Sequence, residues 1–205
     1  YDRGIDSFIL KTFRSSSEVG YYGLAYKIHG NLILGAAFLM NSLFPIMAKV
    51  KKDLPVLKTM FLKAFTVLLL LGLAIFFIGF VFSPLIISLL GGPFFASSAN
   101  ILRILLFATV IAYLNHLTGY FLVALGEQKK LFLFSLITLF LNLFLNLVFI
   151  PKFSYWAASV VTVITELSLF CLTSKFIFKK FSIRYRFTDF HSNDKILLQK
   201  KLNFF

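Results

Sequence analysis

Apolar residues run along this chain in blocks of about twenty or more, and polar residues gather in short groups between the blocks. A helix needs roughly 20 mostly apolar residues to cross a bilayer, so the pattern predicts membrane helices. They fall at about residues 1–13, 19–49, 57–82, 97–125, 130–150 and 155–178. Pro45 is expected to bend the far end of the second helix, and Pro84 to end the third. Residues 85–90, closed by Gly91-Gly92-Pro93, are too few to span and read as an interfacial piece. The expected fold class is an all-α polytopic membrane protein, with a six-helix lobe over residues 1–180 and a basic tail over 181–205. The opening, Asp2-Arg3-Gly4-Ile5-Asp6 running straight into Ser7-Phe8-Ile9-Leu10, reads as the interior of a longer protein whose first helix is truncated.

Composition supports the same class: 59% of residues are apolar and 28 are Phe, far more than one soluble core would bury. The lone Cys171 rules out a disulfide framework. A net charge of +13 could attract nucleic acid, but the cations stand at the ends of apolar blocks and in the tail. Topology explains them better, and no nucleic-acid partner is expected. Lys49, Lys51, Lys52 and Lys58 follow the second helix, Lys129 and Lys130 follow the fourth, and Lys175, Lys179, Lys180 and most of the tail cations follow the sixth. Cytoplasmic loops are enriched in Lys and Arg, so these ends are assigned to the cytoplasm. The turns at Ser15-Ser16-Ser17-Glu18 and Pro151-Lys152-Phe153-Ser154 then face outward, with Tyr21, Tyr22, Tyr155 and Trp156 in an outer aromatic belt. The tail either lies on anionic membrane lipids or serves only to fix topology.

Several polar groups interrupt the apolar blocks. Arg3 and Asp6 are three apart and share a helix face, so they can pair. Lys27 and Asn31 are four apart in the second helix; Arg103, Asn115 and His116 lie in the fourth. Asn142 and Asn146 share a face of the fifth helix, as Thr162 and Glu166 do in the sixth. An ionised group at mid-bilayer costs roughly 2.5–3.5 kcal/mol or more, which turns such groups toward water or one another. Asn31, Asn115, Asn142, Asn146 and Thr162 are therefore candidates to line a polar cavity, or equally to bond neighbouring helices together. Lys27 and Arg103 can serve a cavity or reach the interface. Glu166 has no cation beside it in sequence, and His116 could relay a proton.

The chain carries no metal-spaced Cys/His group, no phosphate-cradling loop and no nucleophile beside a His and a carboxylate. No catalytic residue, metal or cofactor is expected, and an enzyme is not.

Certain residues carry a family resemblance. These are Arg3-Gly4-Ile5-Asp6-Ser7, Glu18-Val19-Gly20-Tyr21-Tyr22-Gly23-Leu24-Ala25-Tyr26-Lys27, Asn41-Ser42-Leu43-Phe44-Pro45 and Leu89-Leu90-Gly91 with Phe95. Further on come Leu125-Gly126-Glu127-Gln128-Lys129, Asn142-Leu143 with Asn146-Leu147, Ile150-Pro151, and Ala157-Ala158 with Thr162 and Glu166. In this order they resemble the C-terminal half of the polysaccharide and O-antigen flippases of the multidrug/oligosaccharidyl-lipid/polysaccharide flippase superfamily. Where that family has a Gly-rich turn after Ile-Pro, this chain has Phe153-Ser154-Tyr155-Trp156. The resemblance implies a roughly twelve-helix, two-lobed transporter whose N-terminal lobe partners this one. It would carry undecaprenyl-pyrophosphate-linked oligosaccharide across the cytoplasmic membrane by alternating access, for surface polysaccharide and lipopolysaccharide synthesis beside the polysaccharide polymerase machinery. Arg3, Lys27 and Arg103 would then attract the pyrophosphate and any acidic sugars, since a diphosphate seeks charge-assisted donors. Asp6 and Glu166 would couple ions, because low dielectric favours a carboxyl group that can hold and release a proton. A multidrug antiporter or a lipid II flippase of the same superfamily, a non-transporting assembly scaffold and a membrane glycosyl transferase are the alternatives.

Overall fold

A computed structural model describes residues 5–181, so Arg3 and the 182–205 part of the tail lie outside the described residues. The described chain is helical almost throughout: α1 (Ile5–Phe13), α2 (Ser16–Lys49), α3 (Leu54–Gly91), a short 3-10 turn (Pro93–Phe95), α4 (Ser98–Ala124) and α5 (Gln128–Phe181). Four of these are long and apolar enough to cross a membrane.

The helix starts follow from capping chemistry. Ser15 caps α2, accepting from the backbone N–H of Glu18 while Glu18 reaches back to the backbone N–H of Ser15. Asp53 caps α3 through the N–H of Val56. Gly126, at φ 81°, makes the turn from α4 into α5.

One expected boundary changes. The third helix does not stop before Pro84, and residues 85–90 form no separate interfacial piece: α3 continues as one helix to Gly91. Proline removes the N–H that would bond the carbonyl four residues back, here that of Phe80. Arg103 of α4 supplies the missing donor, its Nε lying 3.2 Å from the Phe80 oxygen. The expected fifth and sixth helices are both present, as the two arms of α5 on either side of a non-helical Ser154 (φ 54°, ψ −138°). The two arms of α5 fold back on each other. The rings of Phe134 and Phe176 meet at 5.9 Å, and Lys180 pairs with Glu127 at the opposite end from Ser154.

The reversal is clamped by the α1–α2 turn. Arg14 Nη2 donates to the Pro151 carbonyl at 2.7 Å, and Ser154 Oγ donates to Glu18 at 2.7 Å. The turns at residues 14–18 and 151–154 thus share one end of the bundle, and Glu127 and Lys180 share the other. Tyr21, Phe95 and Tyr155 cluster near the first end, with Tyr21 edge-on to both other rings. Tyr22 does not join that belt; it is fully buried.

α4 forms the axis, packed by α2, α3 and α5. Two-thirds of its most apolar window is buried (67%), against 17% for each other long helix, so α4 faces protein while the others keep broad apolar faces outward. Gly72 and Gly79, seven apart on α3, let that helix approach α4: a Cβ on Gly72 would lie 3.3 Å from the Val110 backbone, and one on Gly79 2.9 Å from Leu106.

Candidate functional site

Most of the polar residues expected at the site fall into two separate groups. The first surrounds Asp6, 5% exposed, where four helical segments meet. Tyr22 of α2 donates its phenol proton to Oδ2 at 3.0 Å, and Asn146 of α5 donates to Oδ1 at 2.6 Å. The second amide proton of Asn146 goes to Asn142 Oδ1 at 3.0 Å. Thr162, on the other arm of α5, donates to the Ala158 carbonyl and lies 3.4 Å from the Tyr22 hydroxyl. Oxygens therefore dominate the group, and the Asn146 Oδ1 is buried with no hydrogen-bond partner among the described residues. A carboxylate, amide oxygens and hydroxyls are the donor set that hard cations take, and a carboxylate so placed can also hold a proton.

The second group lines an open cavity of about 580 Å³ between α2, α4 and both arms of α5. Asn115 of α4 donates both amide protons to Glu166, one to the carboxylate at 2.7 Å and one to the backbone carbonyl at 2.9 Å. Its own Oδ1 is buried without a partner among the described residues. His116 Nδ1 lies 2.9 Å from the Ala112 carbonyl, which can only accept, so Nδ1 carries the proton and a neutral ring offers Nε2 as an acceptor. Asn41 of α2 accepts from the Tyr120 hydroxyl at 2.5 Å, and Phe44 meets the Tyr120 ring edge-on at 5.7 Å.

The structure thus brings Asp6, Asn142, Asn146 and Thr162 together, and separately Asn115 and Glu166. The two described cationic candidates, Lys27 and Arg103, are gathered with neither. Lys27 and Asn31 lie exposed on one face of α2 with Leu34 and Phe38. Arg103 is engaged by Phe80, whose ring lies 5.2 Å below the guanidinium, and by Asn100 at 3.0 Å. Arg3 lies outside the described residues. Sequence reasoning missed the roles of Tyr22, Asn41 and Tyr120, whose partners stand 16 and 79 residues away, beyond any helical spacing.

Four membrane-length helices that gather two polar groups between them define a polytopic membrane protein. The MatE family model matches residues 4–148, and the chain belongs to that family of membrane transporters, within the multidrug/oligosaccharidyl-lipid/polysaccharide flippase superfamily. The match takes in Asp6, Asn115, Asn142 and Asn146 and ends before Thr162 and Glu166. No curated protein and no solved structure matches the chain.

Proposed function

We propose that this chain is one lobe of a flippase that moves undecaprenyl-pyrophosphate-linked oligosaccharide from the inner to the outer leaflet of the cytoplasmic membrane, feeding O-antigen-type polysaccharide synthesis. The observation that carries the reading is the pairing of a closed, oxygen-rich group at Asp6 with a second, open polar cavity at Glu166. One is suited to a coupling cation and the other to cargo. An ion that binds Asp6 bridges α1, α2 and both arms of α5, so its binding free energy can bias the lobe between two arrangements. The exposed α2 face with Lys27 and Asn31 would meet the N-terminal lobe across the transport path, where Lys27, with Arg3, attracts the pyrophosphate. Arg103 already serves Phe80 and is the weakest of the three cationic candidates. The Lys-rich helix ends support a cytoplasmic side for Glu127, Lys180 and the C-terminus.

One observation favours a second reading. Glu166 with Phe44 and Tyr120 around one cavity is also what an exporter of cationic compounds would use. Expression of the gene encoding this chain in a bacterium lacking its O-antigen flippase separates the two. Restored surface polymer supports the flippase; no polymer, with the protein in the membrane and resistance to cationic drugs raised, supports the exporter.

A further inference from the structure

Resting on the flippase reading, we infer that the Glu166 cavity is the glycan-selecting subsite of this lobe, and that it takes a neutral or amino sugar and rejects an acidic one. Glu166 is the one carboxyl group in its lining. Both amide protons of Asn115 are spent on Glu166 and its Oδ1 is buried, which leaves the Glu166 carboxyl as the acceptor of that wall. The proton on His116 Nδ1 is spent on Ala112, and the Tyr120 hydroxyl proton on Asn41. The Asn41 amide and the Ser135 hydroxyl add groups that can donate, so a ligand that both donates and accepts, as sugar hydroxyls do, matches the lining.

No Lys or Arg lines the cavity; beside Glu166 only the His116 ring could offset a second carboxylate. Its volume, about 580 Å³, is many times the ~30 Å³ share of one water, so it is too roomy to be shaped around a bare ion. The polar groups stand on several walls: Asn41 on α2, Asn115 and His116 on α4, Ser135 on one arm of α5 and Glu166 on the other. A pyranose carries hydroxyls around its whole rim and can meet several of them at once. The Phe44–Tyr120 pair supplies an apolar wall for its ring face.

The test uses the protein that carries this chain, reconstituted in sealed vesicles. Leaflet exchange is followed for two isoprenyl-pyrophosphate-linked disaccharides differing only in an N-acetylhexosamine or a hexuronate at one position. The wild type should move the neutral compound faster by roughly tenfold or more, the scale of an uncompensated like-charge contact. Glu166→Gln should shrink that ratio toward one by admitting the uronate. Ser135→Ala, on another wall, should slow the neutral compound without admitting the uronate. Equal wild-type rates for both compounds would overturn the inference and leave the flippase reading standing. So would a Glu166→Gln variant that slows both equally and alters ion dependence, since Glu166 would then be an ion site. Exchange of neither compound, with uptake of a lipophilic cation instead, would overturn the inference together with the reading it rests on.

Discussion

Pro84 removes one backbone donor from the middle of α3, and Arg103 replaces it from across the helix interface. The Phe80 carbonyl would otherwise be an unpaired acceptor in an apolar setting, and hydrogen bonds from charged groups are worth about 1.5–3 kcal/mol. Arg103→Ala should therefore lower thermal stability in detergent by an amount of that order. In a Pro84→Ala background the helix supplies its own N–H, and the penalty should shrink by about 1 kcal/mol or more in a double-mutant cycle. Additive losses would contradict the assignment. In sequence, Arg103 is an intramembrane cation and reads as a cargo contact; its actual partner is a carbonyl 23 residues away, exposed by a proline that looked like a helix end. Asp6 was more legible. A carboxylate, two amides four apart and a threonine are each costly in hydrocarbon, and the shared cost is lowest where they meet. Tyr22 was not legible, because a tyrosine near a helix start is equally at home in an interfacial belt.

At the scale of elements, α5 shows where local signals run short. The sequence separates two helices around Pro151 but does not show how sharply they reverse. The reversal happens at Ser154, whose positive φ belongs to a region that is nearly confined to glycine and costs other residues about 1–3 kcal/mol. Glycine was the expected residue for this turn, and serine stands there because its hydroxyl bonds Glu18. Ser154→Gly should relieve the backbone and lose that bond, for a net rise in unfolding temperature. Ser154→Ala keeps the strain and loses the bond, so it should fall below wild type. The opposite order in a thermal-shift measurement would mean that the hydroxyl, not the backbone, governs the turn. Helix count and the pairing of ends were legible from block length and loop composition. The continuity of α3 was not, because its rescue lies in tertiary contacts.

For the molecule as a whole, the apolar blocks set the class and the MatE match sets the family, while the cargo rests on chemistry. On the proposed reading, the closed group at Asp6 is a switch that ties several helices around α4, and the open cavity at Glu166 is a space that receives cargo. Loss of the charge at Asp6 should uncouple the switch without emptying the cargo cavity, since the two groups share no residue. Leaflet exchange of a fluorescent isoprenyl-pyrophosphate-linked oligosaccharide is therefore the most direct measurement. It would be made in sealed vesicles holding the wild-type protein or its Asp6→Asn variant, under imposed proton and sodium gradients in turn. The account predicts that one of the two gradients accelerates wild-type exchange and that Asp6→Asn abolishes the acceleration while still binding the oligosaccharide. Wild-type vesicles that exchange no lipid-linked oligosaccharide under either gradient, or Asp6→Asn vesicles that respond as fully as wild type, would contradict it.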